Sequence, residues 1–207
     1  MKRFGFTLPV LGLVALSGCA SSNLVNMWRA PAIAVPMEKM LVIAMKPNEG
    51  NRRIMEDALV GRLAEHGVQA TASYTVFPAA VPDTNAVVEY VRAHALNGVL
   101  VAARLPTLER TEEQPGYVTT EPRTVYSSWT GRYHTYYAEV AHEGTTETLR
   151  VVPHRIDVWY ADGRGGQLVW TAEERSVDPA SATQVSRDLS SAVVGELAKA
   201  GFIPPSR

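Results

Sequence analysis

Hydrophobic positions in the first half of the chain alternate between unbroken runs and helical spacing. The run Lys39–Met45 is apolar almost throughout and is followed by a Lys-Pro-Asn turn, which is typical of a strand buried on both faces. Residues 51–66 predict a helix that ends before Gly67, because apolar side chains recur every four positions, at Met55, Leu59 and Leu63.

The same sequence of patterns then repeats. Residues 68–74 predict a second strand, and a second helix is expected after Asp83, which is placed as its N-cap. The apolar run Gly98–Arg104 predicts a third strand. This strand, helix, strand, helix, strand order implies right-handed crossovers and a sheet that is at least partly parallel.

The second half of the chain predicts hairpins instead of crossovers. Leu149–Tyr160 and Gln167–Ser176 flank a Gly-rich stretch at 162–166 and indicate an antiparallel pair. A closing helix is expected to end at Gly201, before Phe202 and Ile203 return to the core, and its buried face would comprise Val185, Leu189, Val193 and Leu197.

The predicted fold class is therefore α/β. We expect a single mixed-sheet sandwich in which βαβαβ is followed by antiparallel hairpins and a C-terminal helix, with about five strands and three helices.

The N-terminus carries the pattern of an export signal. A basic start precedes an apolar run up to Leu16, and this run is too short for a membrane-spanning helix, which takes about 20 apolar residues. The run ends in Leu-Ser-Gly before Cys19, which closely resembles the lipobox of bacterial lipoproteins. The resemblance implies that the chain is cut before Cys19 and that this residue is acylated.

An anchor of this kind explains why the chain has one cysteine. No second cysteine is available to pair with Cys19 or to resolve it in a redox reaction. One acyl chain binds a membrane marginally, whereas the three carried by such a lipoprotein hold it firmly. Ala20 stands where an Asp would retain an enterobacterial lipoprotein in the inner membrane, so the outer membrane is expected, with the domain facing the periplasm.

These signals divide the chain into three parts. Residues 1–18 are expected to be the lipoprotein signal peptide, residues 19–37 the lipidated cysteine with a short tether, and residues 38–207 a periplasmic α/β domain. Trp28 and Arg29 either lie at the bilayer surface or pack onto the domain. The formal net charge of −1 shows no basic stripe for nucleic acid, so no nucleic-acid partner is expected.

The order of elements also resembles a family. The stretches KMLVIAM, GVQATASY, NGVLVAAR, QLVWTAEERS and AVVGELAKAGFI resemble bacterial outer-membrane lipoproteins with a domain of the TolB N-terminal, CsgG and LpoB type. The resemblance spans residues 38–203 and implies a non-enzymatic envelope protein that acts by contacting other proteins. The chain lacks the amphipathic hairpins of a secretion pore and the long tether of an activator that crosses the peptidoglycan, so the resemblance bears on fold more than on role.

Motifs for chemistry are weak. The histidines lack metal-ligand spacing, although His134 and His142 would share a hairpin face, and no G-x-S-x-G elbow occurs. The Gly-rich stretch 163–166 is flanked by predicted strands and therefore indicates a turn, not a phosphate loop. Adjacent acidic residues such as Glu173 and Glu174 point to opposite faces of a strand. We therefore expect no catalytic residues, no cofactor and no metal.

One segment is unusual. Residues 105–148 form a long insertion that is rich in Thr, Val and aromatic residues, so an extra hairpin with its turn near Trp129–Gly131 is expected. Its rings either cover the open face of the sheet as core, bind a protein, or bind a glycan or small ligand. The candidate partner-binding residues are Tyr126, Trp129, Tyr133, Tyr136 and Tyr137.

The expected function is that of a lipid-anchored adaptor or assembly factor in the cell envelope, with a protein partner. The alternative is a carrier or sensor of a small envelope ligand such as a glycan or lipid, and an enzyme ranks third.

Overall fold

A computed structural model of the chain describes residues 23–31, 36–46, 48–161 and 165–206. Cys19 and its signal sequence lie outside the described residues. The described strands are β1 Asn23–Arg29, β2 Lys39–Met45, β3 Gln69–Ala72, β4 Gly98–Arg104, β5 Leu108–Gln114, β6 Tyr117–Ser127, β7 Arg132–His142, β8 Thr145–Ala161 and β9 Gly166–Val177. The described helices are α1 Glu49–Ala64, α2 Ser73–Val76, α3 Thr84–Ala93 and α4 Ala182–Lys199.

A mixed sheet forms the centre of the fold. Its strand order is β1-β9-β8-β4-β2-β3, and β5 pairs with the first half of β8. Strands β2, β3 and β4 run parallel, whereas β8, β9 and β1 extend the sheet by antiparallel pairing. The mixed α/β architecture and the partly parallel sheet agree with the sequence prediction.

The two faces of the sheet are covered unequally. On one face, Met40, Val42 and Ala44 of β2 belong to the main core, which α1 and α4 complete with residues such as Leu59 and Leu189. On the other face, Leu41 and Ile43 form a smaller cluster that includes Val91 of α3. Because β2 is buried on both faces, its sequence is apolar throughout.

Helix α4 closes the domain as its pattern predicts. Val185, Leu189, Val193 and Leu197 are buried, and Ser181 caps the helix by accepting a hydrogen bond from the N–H of Gln184. Gly201 ends it with φ of +75°, a left-handed conformation that favours glycine. The buried Phe202 follows, and its carbonyl accepts a 2.8 Å hydrogen bond from the N–H of Met37.

The sheet contains more strands than the sequence predicts, and one of them corrects a predicted boundary. Strand β1 lies within residues 19–37, which the sequence assigns to a tether, yet it pairs with β9 from Asn23↔Arg175 to Arg29↔Trp170. Leu24 packs against the main core, whereas Trp28 stays half exposed. The folded domain therefore begins at β1, ahead of the predicted boundary.

A long two-stranded extension projects from the sheet. Leu108–Gln114 pairs with Val151–Thr145, and after a break the ladder continues as β6 with β7, from Tyr117↔His142 to Ser127↔Arg132. The turn contains Gly131 at φ of +66°, where the sequence predicts the hairpin turn. We call residues 108–151 the arm. About 20 residues on each side give it a contour length of roughly 65 Å.

None of the helices described between residues 23 and 206 is both long and apolar enough to span a membrane.

Candidate functional site

The predicted partner-binding residues lie in the outer half of the arm and are exposed. Trp129, in the turn, is 96% exposed, Tyr133 74% and Tyr137 73%, and Tyr126 and Tyr136 are exposed over about half of their surface. The interpretation that these rings cover the sheet as core is therefore wrong. The residues of β6 and β7 pair with each other in a sheet of two strands, which is separate from the main sheet.

The hairpin register brings most of these rings together. Tyr126 and Tyr133 are directly opposite each other, with ring centroids 5.2 Å apart. Tyr137 lies on the same face as Tyr133, because alternate side chains share a strand face, but it is four residues and roughly 13 Å further along β7. Tyr136 lies on the opposite face, across from Arg123. The structure therefore assembles one aromatic face next to Trp129 and separates Tyr136 from it.

The two histidines of β7 are too far apart to share a ligand. His134 and His142 lie on the same strand face, but eight residues of extended chain separate them by roughly 26 Å. The ring of His134 bonds Thr130, whereas that of His142 bonds Thr119 and stacks on Tyr117. Across the described parts of the chain, no group of three or more His, Cys, Asp or Glu residues is arranged to hold a metal.

A second candidate site lies at the surface of the domain, at one edge of the main sheet, where Arg104 and Arg150 are exposed and Lys46 is partly buried. A cavity of about 230 Å³ opens where β2 and β4 end and where α1 and α4 begin. Three cationic side chains line it, Lys46, Arg104 and Arg150, together with His154 and residues of both first helical turns, including Asn51 and Ser181. No acidic residue is among the described residues that line the cavity.

The alternation of the strands explains why polar groups meet here. Met40, Val42 and Ala44 face the main core, and Lys46 is the next position of the same parity. Arg104 continues Leu100 and Ala102 in the same way on β4. On β8 and β9, His154 and Glu174 follow Ile156 and Ala172 outward. At this edge the inward-facing rows of the sheet thus change from apolar to charged.

A chain of hydrogen bonds fixes the ammonium group of Lys46. Lys46 Nζ donates to Nε2 of His154, whose Nδ1 lies 3.1 Å from Oε2 of Glu174. Because Nε2 accepts, the imidazole proton is on Nδ1 and is donated to Glu174. Ser176 donates a second hydrogen bond, of 2.7 Å, to the same carboxylate. Both His154 and Glu174 are buried, so this chain is rigidly held.

Burial and the neighbouring cations shift two pKa values in this cluster. Burial lowers the pKa of Lys46 to about 8, and the nearby Arg104 adds to this effect against the attraction of Glu174. Burial also lowers the pKa of His154, with Lys46 and Arg104 acting in the same direction, while its hydrogen bond to Glu174 opposes the shift. At neutral pH, the cavity therefore holds a neutral imidazole beside a poorly solvated ammonium group.

Sequence reasoning missed this cavity. It found no metal-ligand spacing among the histidines and left Glu174 as one of two adjacent acids, although it placed the two acids on opposite strand faces. The signal that could have revealed it is the alternation of the strands, which places these charged residues at core-facing positions. A charged residue at such a position needs a partner or a ligand.

No protein-family model matches the chain, and no curated protein matches it significantly. Among solved structures, a PelC dodecamer from Paraburkholderia phytofirmans is similar at 13% identity and a TM-score of 0.44, over 88% of this chain and 99% of that chain. Lipoprotein GNA1162 from Neisseria meningitidis is similar at 14% identity and a TM-score of 0.38, over 78% and 98%. A lipoprotein is thus among the structures that this mixed α/β chain resembles.

Proposed function

We propose that this protein is an outer-membrane lipoprotein that acts as an adaptor or assembly factor, binding another envelope protein through its arm. The observation that carries the proposal is the aromatic face of the arm, formed by Tyr126, Tyr133 and Tyr137 beside the almost fully exposed Trp129. Two sequence features support it. The residues before Cys19 resemble a lipobox, and the order of strands and helices resembles that of the TolB N-terminal type.

The shape of the arm favours a role in binding. A hairpin of two strands with no third strand and nothing packed on its faces is at best marginally stable in water. A partner that covers its exposed aromatic surface would remove that surface from water. Tyr and Trp supply large contact areas at low entropic cost, and they dominate the binding energy of protein interfaces. Thr and Arg residues between the rings give the mixed polar character of a contact that forms and dissociates.

The outer part of the arm, residues 115–144, can be removed by design without disturbing the main sheet. Gln114 and Thr145 are the last paired residues before the ladder breaks. An Asn-Gly turn in place of residues 115–144 would join them as a two-residue hairpin, since Asn-Gly favours the turn type that matches strand twist. The variant keeps β5, β8 and both core clusters.

The test is site-specific photo-crosslinking in the native envelope. A crosslinker at Trp129 or Tyr133 is expected to capture one recurring envelope protein, and a crosslinker at the exposed Glu89 of α3 serves as control. The purified partner should then bind the full chain and not the variant without the outer arm. Equal capture at Glu89, or equal binding by the variant without the outer arm, would refute the role of the arm.

The alternative, a carrier or sensor of a small envelope ligand, rests on the cavity and not on the arm.

A further inference from the structure

The cavity between the sheet and the first turns of α1 and α4 is separate from the aromatic face of the arm, although Arg150, at the base of the arm, lines it. Its lining places the cations of Lys46, Arg104 and Arg150 around one space of about 230 Å³. At roughly 30 Å³ for each water, this space has room for about seven waters. It is therefore large enough for a small charged group with some of its hydration.

Lys46 is the costly member of this group, because it is poorly solvated and lies near Arg104, whereas Arg104 and Arg150 are exposed to solvent. Among the described residues, no ion pair involves Lys46, Arg104 or Arg150. Arg104 donates to the hydroxyl of Thr107, and Lys46 donates to a neutral imidazole. Neither partner neutralises a charge, so each cation retains the capacity to bind an anion.

The acidic groups near the cavity lie behind it or at its rim. Glu174 is below the imidazole of His154, and its oxygens already accept from His154 and Ser176. Glu109 is opposite Arg150 in the strand ladder, and Asp178 accepts from the backbone N–H of Arg150. These acids reduce the field of Arg150 and leave Lys46 and Arg104 as the main cations.

The two helices add to the positive potential. Helices α1 and α4 both begin beside the cavity, and each has a first turn among the lining residues, at Asn51 and at Ala182. A helix N-terminus carries roughly half a positive charge. That of α4 adds to the charge of the side chains, whereas the carboxylate of Glu49 in the first turn of α1 offsets part of the charge there. Cations on strands and two helix starts thus converge on one point.

We propose that this cavity binds the phosphate group of a phosphomonoester. A phosphomonoester carries a charge of about −1.5 to −2 at pH 7 and offers three terminal oxygens, one for each lining cation. A carboxylate offers two oxygens and one charge, and therefore matches the cavity less well. The guanidinium groups of Arg104 and Arg150 would donate bidentate hydrogen bonds to the phosphate. Lys46, held in place by His154, would contribute a positive charge at a fixed position.

The proposal is tested by calorimetric titration of the full-length lipidated protein in uncharged detergent micelles. Inorganic phosphate and glycerol 1-phosphate are the probes, and acetate is the comparison. We expect glycerol 1-phosphate to bind in competition with inorganic phosphate and more tightly than acetate. Arg104→Gln and Lys46→Met should weaken binding about tenfold or more, whereas Arg132→Gln, an exposed arginine of the arm, should not.

Titration of Lys46 provides a second readout. The phosphate charge is nearly constant above pH 7.5, since its second pKa is about 6. Affinity should therefore fall as the pH rises through the pKa of Lys46, near 8, and this fall should disappear in Lys46→Met.

Binding to vesicles distinguishes the two sources of the phosphate, a lipid headgroup and a free metabolite. Binding to phosphatidic acid vesicles by a Cys19→Ser chain, dependent on Arg104 and absent with phosphatidylcholine, would identify a lipid headgroup, whereas binding of glycerol 1-phosphate alone would identify a free metabolite. Either result supports the phosphate site. No saturable binding, binding equal to that of acetate, or binding unchanged in Arg104→Gln and Lys46→Met would overturn it. Thermal unfolding of each variant checks that it is folded.

Discussion

The carboxylate of Glu56 accepts a 2.9 Å hydrogen bond from the backbone N–H of Ala44 and thereby joins α1 to the central strand. Strand β3 ends beside Val42, so beyond that point this edge of β2 has no strand partner. Glu56 replaces the missing strand, and it also accepts from Ser73 Oγ and from the N–H of Tyr74, where the chain turns into α2. This explains why the predicted strand over 68–74 ends early, at Ala72.

The charge of Glu56 is balanced inside the fold, so removing it should be costly. Arg52 is 1% exposed and lies 3.1 Å from the carboxylate. Removing one member of a buried ion pair costs about 3–5 kcal/mol, because the other charge is left without a partner. Glu56→Ala should lower the free energy of unfolding in urea by about that amount.

Glu65→Ala is the matched control for Glu56. Glu65 follows the same helix and pairs with Arg62 at the surface, where an ion pair contributes at most about 1 kcal/mol. Equal losses of stability in the two variants would mean that Glu56 does not serve as the structural acceptor described above.

The two tryptophans Trp129 and Trp170 should respond in opposite ways to truncation. Trp129 is exposed in the arm, so Trp129→Ala should change the free energy of unfolding by less than about 0.5 kcal/mol. Trp170 is 2% exposed in the main core, and Trp170→Ala should cost about 3–5 kcal/mol. A large loss of stability in Trp129→Ala would mean that this ring is packed in the folded protein and is not an exposed binding residue.

The sequence predicted correctly those elements whose burial shows as a local pattern of apolar residues. Strand β2 coincides with its predicted range, and the buried stripe of α4 recurs as expected. Strand β1 was missed because its residues show neither alternation nor a run, and its partner β9 lies about 150 positions away in the chain. Pairing over such a distance is decided by tertiary packing and not by local propensity.

The same limit applies to the two candidate sites. The rings of the arm were found because they cluster in sequence, but their exposure depends on where the hairpin leaves the sheet. Arg104 and Glu174 lie in β4 and β9, and Lys46 directly follows β2; these strands are far apart in the chain, and only the sheet topology brings the three residues together. Each residue alone is an ordinary charge at a strand end.

Two glycines of the C-terminal region should show opposite effects of a methyl group. Gly201 has φ of +75°, so Gly201→Ala forces a strained conformation and should cost about 1 kcal/mol. Gly195 lies within α4, where an added Cβ meets no atom within 4 Å. Gly195→Ala should therefore stabilise the protein by about 0.5–1 kcal/mol. Thermal unfolding of the two variants, which differ in the same single methyl group, measures both.

Lys46 should make stability rise with pH in the alkaline range. Its pKa is about 8 in the folded protein and 10.5 without the effects of the fold, so between these values the unfolded chain binds more protons. Because of Lys46, the free energy of unfolding therefore increases as the pH rises through this window. In Lys46→Met, that part of the pH dependence should be absent in urea unfolding measured from pH 7 to 10.5. Parallel curves for the two proteins would contradict the assignment.

The anchor is tested at the first two residues of the expected mature chain. Cys19→Ser should abolish acylation and move the protein from the membrane to the soluble fraction of the envelope, because no acyl chain remains to insert. Ala20→Asp should keep the acyl chains and shift the protein to the inner membrane. Mass spectrometry of the N-terminal peptide and density-gradient separation of the membranes measure both outcomes. Retention of Cys19→Ser in the outer membrane would exclude the lipid anchor.

Strand β1 has a consequence for the distances over which the protein works. Four residue steps separate Cys19 from Asn23, and they span at most about 14 Å. Asn23 is aligned with Arg175 and through it with Pro153, two positions from Val151, where the arm leaves the sheet. An acylated chain would thus hold the base of the arm at a short radius from the bilayer. Two strand spacings from β1 to β8 add about 10 Å, two positions along β8 add about 7 Å, and the arm adds its contour length, so any surface that the arm binds must lie within roughly 95 Å of the lipid headgroups.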